Sequence, residues 1–256
     1  AGETIWAAAR RHGTTIPHLC HQDGLTPAGN CRACVVEIDG ERTLAPSCCR
    51  APTEGMVVKS QSDRALASQR LVIELLQADA APAAQSAESE LLHWARHLGV
   101  TGSRFAETAP RAYPPADASH PAFEVHLDAC IQCTRCIRAC RDEQVNDVLG
   151  MALRGAHSQI VFDQGDAVAS STCVACGECV AACPTGALRL PTHEQKTKAV
   201  DTLCPYCGVG CQVTAQVHNN KIVRIDGRDG PANHGRLCIK GRFGYDYTEH
   251  PDRLTV

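Results

Sequence analysis

The sequence predicts a string of small α+β modules, none of them large enough to rest on an apolar core of its own. Three observations carry that expectation. Cysteine is abundant, 17 in 256 residues, and falls in tight groups separated by long cysteine-free stretches. Aromatic residues make up only 4% of the chain, so bound cofactors would have to fill the space a core otherwise takes. Apolar runs are short and are divided by proline and glycine segments, as between small units.

The stretch from Cys130 to Cys183 organises the rest. Cys130, Cys133, Cys136 and Cys140 have the spacing C-x2-C-x2-C-x3-C; after 32 further residues Cys173, Cys176, Cys179 and Cys183 repeat it, with Pro184 behind. This is the spacing of two-cluster bacterial ferredoxins, in which the fourth cysteine of each run ligates the other run's cluster. Three thiolates on one short loop can cap three corners of a [4Fe–4S] cube, and the fourth must come from elsewhere. Cys130, Cys133, Cys136 and Cys183 are therefore expected on one cluster, and Cys173, Cys176, Cys179 and Cys140 on the other. Each crossed cysteine is expected to begin a helix that leads away from the site. Zinc sites pair two C-x2-C knuckles per metal and would leave the third cysteine of each run surplus. A disulfide framework needs an oxidising compartment, and the odd cysteine total and close clustering argue against it.

A net charge of −3 gives no electrostatic reason to expect a nucleic-acid partner. No apolar run approaches the roughly 20 residues of a membrane span. Arg10-Arg11 is followed by His12-Gly13-Thr14-Thr15, not by the apolar segment of an export signal, and reads as an exposed helix end. Reduced thiols without a visible signal imply the cytoplasm. The start at Ala1-Gly2-Glu3, with no methionine, suggests that an upstream segment precedes it.

Residues 1–62 form the first expected module. Thr4 can cap a short helix over Ile5–Arg11. Val35–Ile38, the Asp39-Gly40 turn and Thr43–Ala45 read as a hairpin, and Met56–Lys59 as a further strand. Cys20, Cys31, Cys34 and Cys48 set among strands suggest a [2Fe–2S] cluster of the broad plant-ferredoxin kind, although the gaps are not the plant ones. Gly29-Asn30-Cys31-Arg32-Ala33-Cys34-Val35-Val36-Glu37 closely resembles the cluster loop of the N-terminal ferredoxin module in complex I large subunits, iron-only hydrogenases and formate dehydrogenases. Ser47-Cys48 lines up with that family's last ligand, so the resemblance favours Cys48 over Cys49, which is left as a small buried hydrophobe. That family's β-grasp fold also has a strand hairpin before the first helix, and none is present in this sequence.

Residues 63–121 read as a helical connector. Apolar periodicity predicts helices over Ala65–Gln77 and Leu91–Leu98, with Ala78–Ala87 a loop around Pro82. Pro110, Pro114, Pro115 and Pro121 mark a linker. Complex I large subunits hold a [4Fe–4S] cluster here with one histidine and three cysteines. This stretch offers His93, His97 and His120 but no cysteine, so the histidines read as packed or solvated side chains.

Residues 122–192 hold the two-cluster module, with a helix expected over Val145–Leu149 and a strand over Ile160–Phe162. Three segments of it, Leu127-Asp128-Ala129-Cys130-Ile131-Gln132-Cys133, Gln144-Val145-Asn146-Asp147-Val148-Leu149-Gly150 and Ser171-Thr172-Cys173-Val174-Ala175-Cys176-Gly177-Glu178-Cys179, resemble the alpha subunit of cytoplasmic NAD-dependent formate dehydrogenases. Residues 193–200 read as a polar linker. In residues 198–256, Cys204, Cys207, Cys211 and the distant Cys238 could by themselves hold zinc or [4Fe–4S]. Between them a hairpin over Gln212–Val217 and Ile222–Asp226 turns at Asn219-Asn220. With Cys238-Ile239-Lys240-Gly241, the whole segment resembles the [4Fe–4S] domain of molybdopterin oxidoreductases, which selects the cluster. In that family the lysine after the last cysteine lies between cluster and pterin, so the resemblance makes Lys240 a pterin-contacting relay. A surface lysine is the plain alternative.

The resemblances together imply one [2Fe–2S] and three [4Fe–4S] clusters. They also imply a bis-molybdopterin guanine dinucleotide site with molybdenum or tungsten, expected beyond Val256, where formate is oxidised to CO2. The implied partners are a flavin- and NAD-binding subunit with iron–sulfur clusters and a further small [2Fe–2S] subunit. Another molybdopterin oxidoreductase, a hydrogenase or complex I-type subunit, and a stand-alone electron carrier are the alternatives.

Overall fold

Thr4 opens the first element in this computed structural model, which describes residues 2–80, 82–105, 113–191 and 197–254. The Ala7 amide donates to the Thr4 hydroxyl at 3.2 Å, the expected N-cap, and α1 (Ile5–Arg11) follows. Arg10 and Arg11 lie exposed in its last turn. Trp6 packs inward with Ile5, Ile16, Val36 and Ile38, around Cys34 and Cys48. A three-stranded antiparallel sheet carries the rest of this module, with β1 (Val35–Ile38) between β2 (Ala45–Pro46) and β3 (Val58–Lys59). The second strand starts later than the expected Thr43–Ala45 and takes in Pro46, which an edge position tolerates because its missing N–H is not needed there.

The connector folds as expected, and it does more than connect. Ser62 caps α2 (Asp63–Asp79), and the buried Gln69 amide donates to the Val35 carbonyl at 2.9 Å, fastening this helix to β1. The expected loop contains a short turn of 3-10 helix over Pro82–Ala84. Leu91, Trp94, Ala95 and Leu98 of α3 (Glu90–Leu98) meet Ile73 in a core that also takes in Leu19, Cys20, Ile131 and Cys133. This shared core holds the first two cysteine-bearing modules together. Pro110, part of the expected linker, lies outside the described residues.

Two small antiparallel ribbons frame the ferredoxin-like module. β4 (Glu124–Val125) pairs with a late strand, and β5 (Leu149–Ala152) pairs with β6 (Gln159–Phe162). Their core centres on Phe123, Leu149, Phe162 and Leu188. Two short helices, α4 (Arg135–Arg138) and α5 (Glu178–Ala182), precede β7 (Leu188–Arg189), the partner of β4. The helix expected over Val145–Leu149 is absent. Val145 and Asp147 have φ of 56° and 51°, which a right-handed helix excludes, and Leu149 already opens β5. Cys140 and Cys183 also lie at helix ends, not at helix starts. Cys140 sits in a wide helical turn, Ala139–Glu143, that continues α4, and Cys183 caps the end of α5. The helical turn comes first because it is what carries the chain away from the three-cysteine loop.

The last module is a three-stranded antiparallel sheet of β8 (Lys198–Leu203), β9 (Gln212–His218) and β10 (Lys221–Gly227), with β9 in the middle. Asn219 and Asn220 have φ of 48° and 63°, the two left-handed residues that a tight hairpin turn needs. Residues 198–200, expected in a linker, belong to β8; residues 193–196 of that linker lie outside the described part. Val213, Ala215, Ile225 and Leu237 form a small core under α6 (Ile239–Phe243). Among the described residues no helix is long and apolar enough to cross a membrane.

Candidate iron–sulfur centres

The four cysteines of the first module meet. The Cys20 amide donates to Cys31 Sγ at 3.3 Å, and Cys34 Sγ lies 3.3 Å from Cys48 Sγ. Side-chain contacts also join Cys20 to Cys31 and Cys48. The loop of Cys48 is fixed to that of Cys34, because the Ser47 hydroxyl donates to the Cys34 carbonyl at 2.7 Å. Contact with Cys31 and Cys48 lowers the Cys20 thiol, and contact with Cys20 raises both of those partners. Cys34 is lowered to about 7, chiefly by Cys48. Cys49 is exposed, with its Sγ 3.5 Å from Cys48 Sγ, which corrects the expectation that it is buried. Its sulfur passes over Gly29, where a Cβ would come within 2.7 Å of it.

The two ferredoxin runs adopt the same loop. The Gln132 amide donates to Cys130 Sγ at 3.4 Å, and the Ala175 amide donates to Cys173 Sγ at 3.3 Å. Gln132 and Ala175 have φ of 54° and 52°, and Thr134 and Gly177 have 62° and 77°. The two runs lie close enough that sulfurs of one feel those of the other. Burial pushes Cys133 up to about 12, and Cys183 is its strongest charged neighbour. Cys136 is raised well above the ordinary thiol value by burial and then by Cys133, Cys130, Cys183 and Cys179. For Cys179 the causes are burial and then Cys176, Cys173, Cys140 and Cys183. A cavity walled by Cys140, Cys173, Cys176 and Cys179, with Val148 and Phe162, lies inside the second set.

The last four cysteines come from two loops. The Cys204 amide donates to the Cys211 carbonyl at 2.9 Å, and Cys211 is raised by burial and by Cys204, Cys207 and Cys238. Cys238 precedes α6, and a Cβ at Gly241 would lie 3.6 Å from Cys204 Sγ, so this helix end approaches Cys204. Lys240 is exposed on the same short helix.

Residues 1–63 match the 2Fe-2S iron-sulfur cluster binding domain family. Residues 120–189 match the ferredoxin-like domain of NADH-quinone oxidoreductase subunit 3, and residues 197–250 match the molybdopterin oxidoreductase Fe4S4 domain. An NADH-quinone oxidoreductase subunit of Rhizobium meliloti is 32% identical over 99% of this chain and 31% of its own length. A Staphylococcus haemolyticus protein with a provisional formate dehydrogenase name is 22% identical over 99% of this chain and 30% of its own. The crystal structure of an NAD+-reducing [NiFe]-hydrogenase contains a chain that superposes with a TM-score of 0.64 at 29% identity, covering 77% of this chain and 84% of that one. The chain spans about a third of the length of the curated relatives it matches. It is iron–sulfur sequence of the kind shared by molybdopterin oxidoreductases and NADH-quinone oxidoreductases.

The donor chemistry of this iron–sulfur portion fits clusters. Every set is made of sulfur alone, and burial or mutual contact pushes a thiol up in each. Such sulfurs become thiolates when a cation supplies the compensating charge, as iron does. Among the described residues, no three histidine, cysteine, aspartate or glutamate side chains meet around a single-ion position. Cys140, Cys173, Cys176 and Cys179 wall a cavity, as ligands to different irons of one cluster do. His93 and His97 flank Trp94, at ring distances of 4.9 and 5.5 Å, and His120 Nδ1 accepts from the Ala122 amide.

The seams between the modules are held by charged side chains that the cysteine pattern did not single out. Arg135 donates to both Glu90 carboxylate oxygens at 2.6 and 2.8 Å and to the His21 carbonyl at 2.5 Å. At the equivalent position of the second run stands Glu178, 2% exposed, which pairs with Arg242 and accepts from the Leu237 amide at 3.3 Å. The signal was present, since a charged residue two places after the second cysteine of each run has no role in ligation.

Proposed function

We propose that the chain is the electron-transfer portion of an NAD-dependent formate dehydrogenase, with one [2Fe–2S] and three [4Fe–4S] clusters. The observation that supports a relay is that all but Cys49 of the 17 cysteines gather in four sets, each in a module packed on the next. Cys20, Cys31, Cys34 and Cys48 hold the first cluster in this reading. Cys130, Cys133, Cys136 and Cys183 hold the second, Cys173, Cys176, Cys179 and Cys140 the third, and Cys204, Cys207, Cys211 and Cys238 the fourth. The clusters supply reversible one-electron chemistry when bound. The protein would hold each between its own loops, exclude water from the buried sulfurs and set the charge around each.

Formate as electron source rests on the wording of 127–133, 144–150 and 171–179. Lys240 would meet a bis-pterin molybdenum or tungsten site held by the rest of the enzyme, and a flavin subunit would pass electrons to NAD⁺. A second reading, an NAD-reducing hydrogenase or NADH-quinone oxidoreductase type complex, is favoured by the relatives with those names. Anaerobic mixing of the complete enzyme with formate, hydrogen or NADH separates them. Formate should bleach the cluster absorbance within the time of one turnover, and Lys240→Ala should slow that bleaching. Bleaching by hydrogen but not by formate discards the formate assignment.

A further inference from the structure

Arg138 occupies the seam between the first two cysteine sets. It ends α4, two residues after Cys136, and is only 5% exposed. Its Nη2 donates to the Cys20 carbonyl at 2.5 Å and to the Cys133 carbonyl at 3.2 Å, while Nη1 donates to the Thr26 carbonyl at 2.7 Å. One guanidinium thus holds the backbone of a first-module cysteine and of a ferredoxin cysteine at once. Asn30 adds a second strap, donating to the Gln132 carbonyl at 3.3 Å.

The charge is as telling as the contacts. Arg135, on the same helix, is neutralised by Glu90. The hydrogen bonds of Arg138 end on three carbonyls. A buried cation is costly unless anions or well-aimed dipoles compensate it. Four thiolates on either side make both cluster sites anionic, and they supply that compensation. At the seam of the third and fourth sets the same kind of contact recurs. Arg242 Nε donates to the Cys176 carbonyl at 2.9 Å, but there the buried Glu178 carboxylate takes up the charge.

We propose that Arg138 is a positioning residue of the relay. It fixes the Cys20 loop against the Cys133 loop, and its charge, compensated chiefly by those two anionic sites, favours the reduced form of both. The inference rests on the iron–sulfur reading above. Adding an electron makes an anionic site more negative, and a fixed cation beside it stabilises that state.

The test is an anaerobic redox titration of the holoenzyme followed by electron paramagnetic resonance, with Arg138→Gln, Arg138→Lys and Arg242→Gln. In Arg138→Gln the reduced-to-oxidised ratio of the [2Fe–2S] centre at a fixed potential should fall at least tenfold, a shift of about 59 mV for one electron. The neighbouring [4Fe–4S] centre should move in the same direction. Arg138→Lys keeps the charge and should stay within threefold of wild type, and Arg242→Gln should leave the [2Fe–2S] centre unmoved. An unchanged ratio in Arg138→Gln overturns the proposal, as does a tenfold loss in Arg138→Lys. Should Arg138→Gln fail to hold its clusters, the lysine variant alone decides by the same limits. Absence of a [2Fe–2S] signal in the wild type would instead overturn the cluster reading on which the proposal rests.

Discussion

A cysteine ligand has to face its partners, and in the doublet Cys48-Cys49 the backbone points only one sulfur inward. Cys48 is fully buried against Cys34, while Cys49 faces solvent over Gly29. Cys48→Ser should therefore abolish or severely distort the [2Fe–2S] resonance, and Cys49→Ser should leave it intact; the reverse would show that the other sulfur is the ligand. The crossed set makes a matching demand. Cys140→Ala should damage the centre of Cys173, Cys176 and Cys179 and spare that of Cys130, Cys133 and Cys136, which cluster-resolved spectra of the reduced protein would reveal. Most candidate ligands were legible at this scale, because thiolate spacing is dictated by the cluster's own geometry. The exposure of Cys49 was not, since it depends on a glycine some 20 residues earlier in the chain.

At the scale of elements, Thr134 and Gly177 occupy equivalent left-handed positions in the two ferredoxin loops, yet only the second is glycine. Packing explains the difference. A Cβ on Gly177 would collide with the Arg242 side chain and come within 2.9 Å of the Phe243 ring. Gly177→Ala should cost at least the left-handed penalty of about 1–2 kcal/mol and should loosen α6 from the ferredoxin module. Thr134→Gly, which relieves a β-branched residue of the same conformation, should be neutral or raise the melting temperature. A lower melting temperature for Thr134→Gly than for Gly177→Ala would contradict this account. The helices with clear periodicity and caps, α1, α2 and α3, were readable from sequence. The strand at Leu149 was not: Val145 and Asp147 are left-handed, and the Asn146 amide donates to the Cys140 carbonyl at 3.0 Å, a backbone turn that side-chain periodicity does not register. The Lys198–Leu203 strand was hidden for another reason: it is an edge strand exposed along its whole length, so it shows no burial pattern.

Across the whole molecule, the modules are joined by few but buried contacts. The connector contributes Glu90 and Trp94 to the first seam, and Arg236, which meets Glu143 at 3.1 Å, joins Arg242 and Glu178 at the last. The domain series could be read along the sequence, but these seams link residues up to 118 positions apart and left no local signature. The claim that most needs testing is that all four cysteine sets hold iron–sulfur clusters. Metal analysis of the anaerobically reconstituted 256-residue chain tests it most directly. About 14 iron atoms per chain are expected, with matching acid-labile sulfide. Iron short by a whole cluster, or zinc bound in stoichiometric amount at any set, would contradict it.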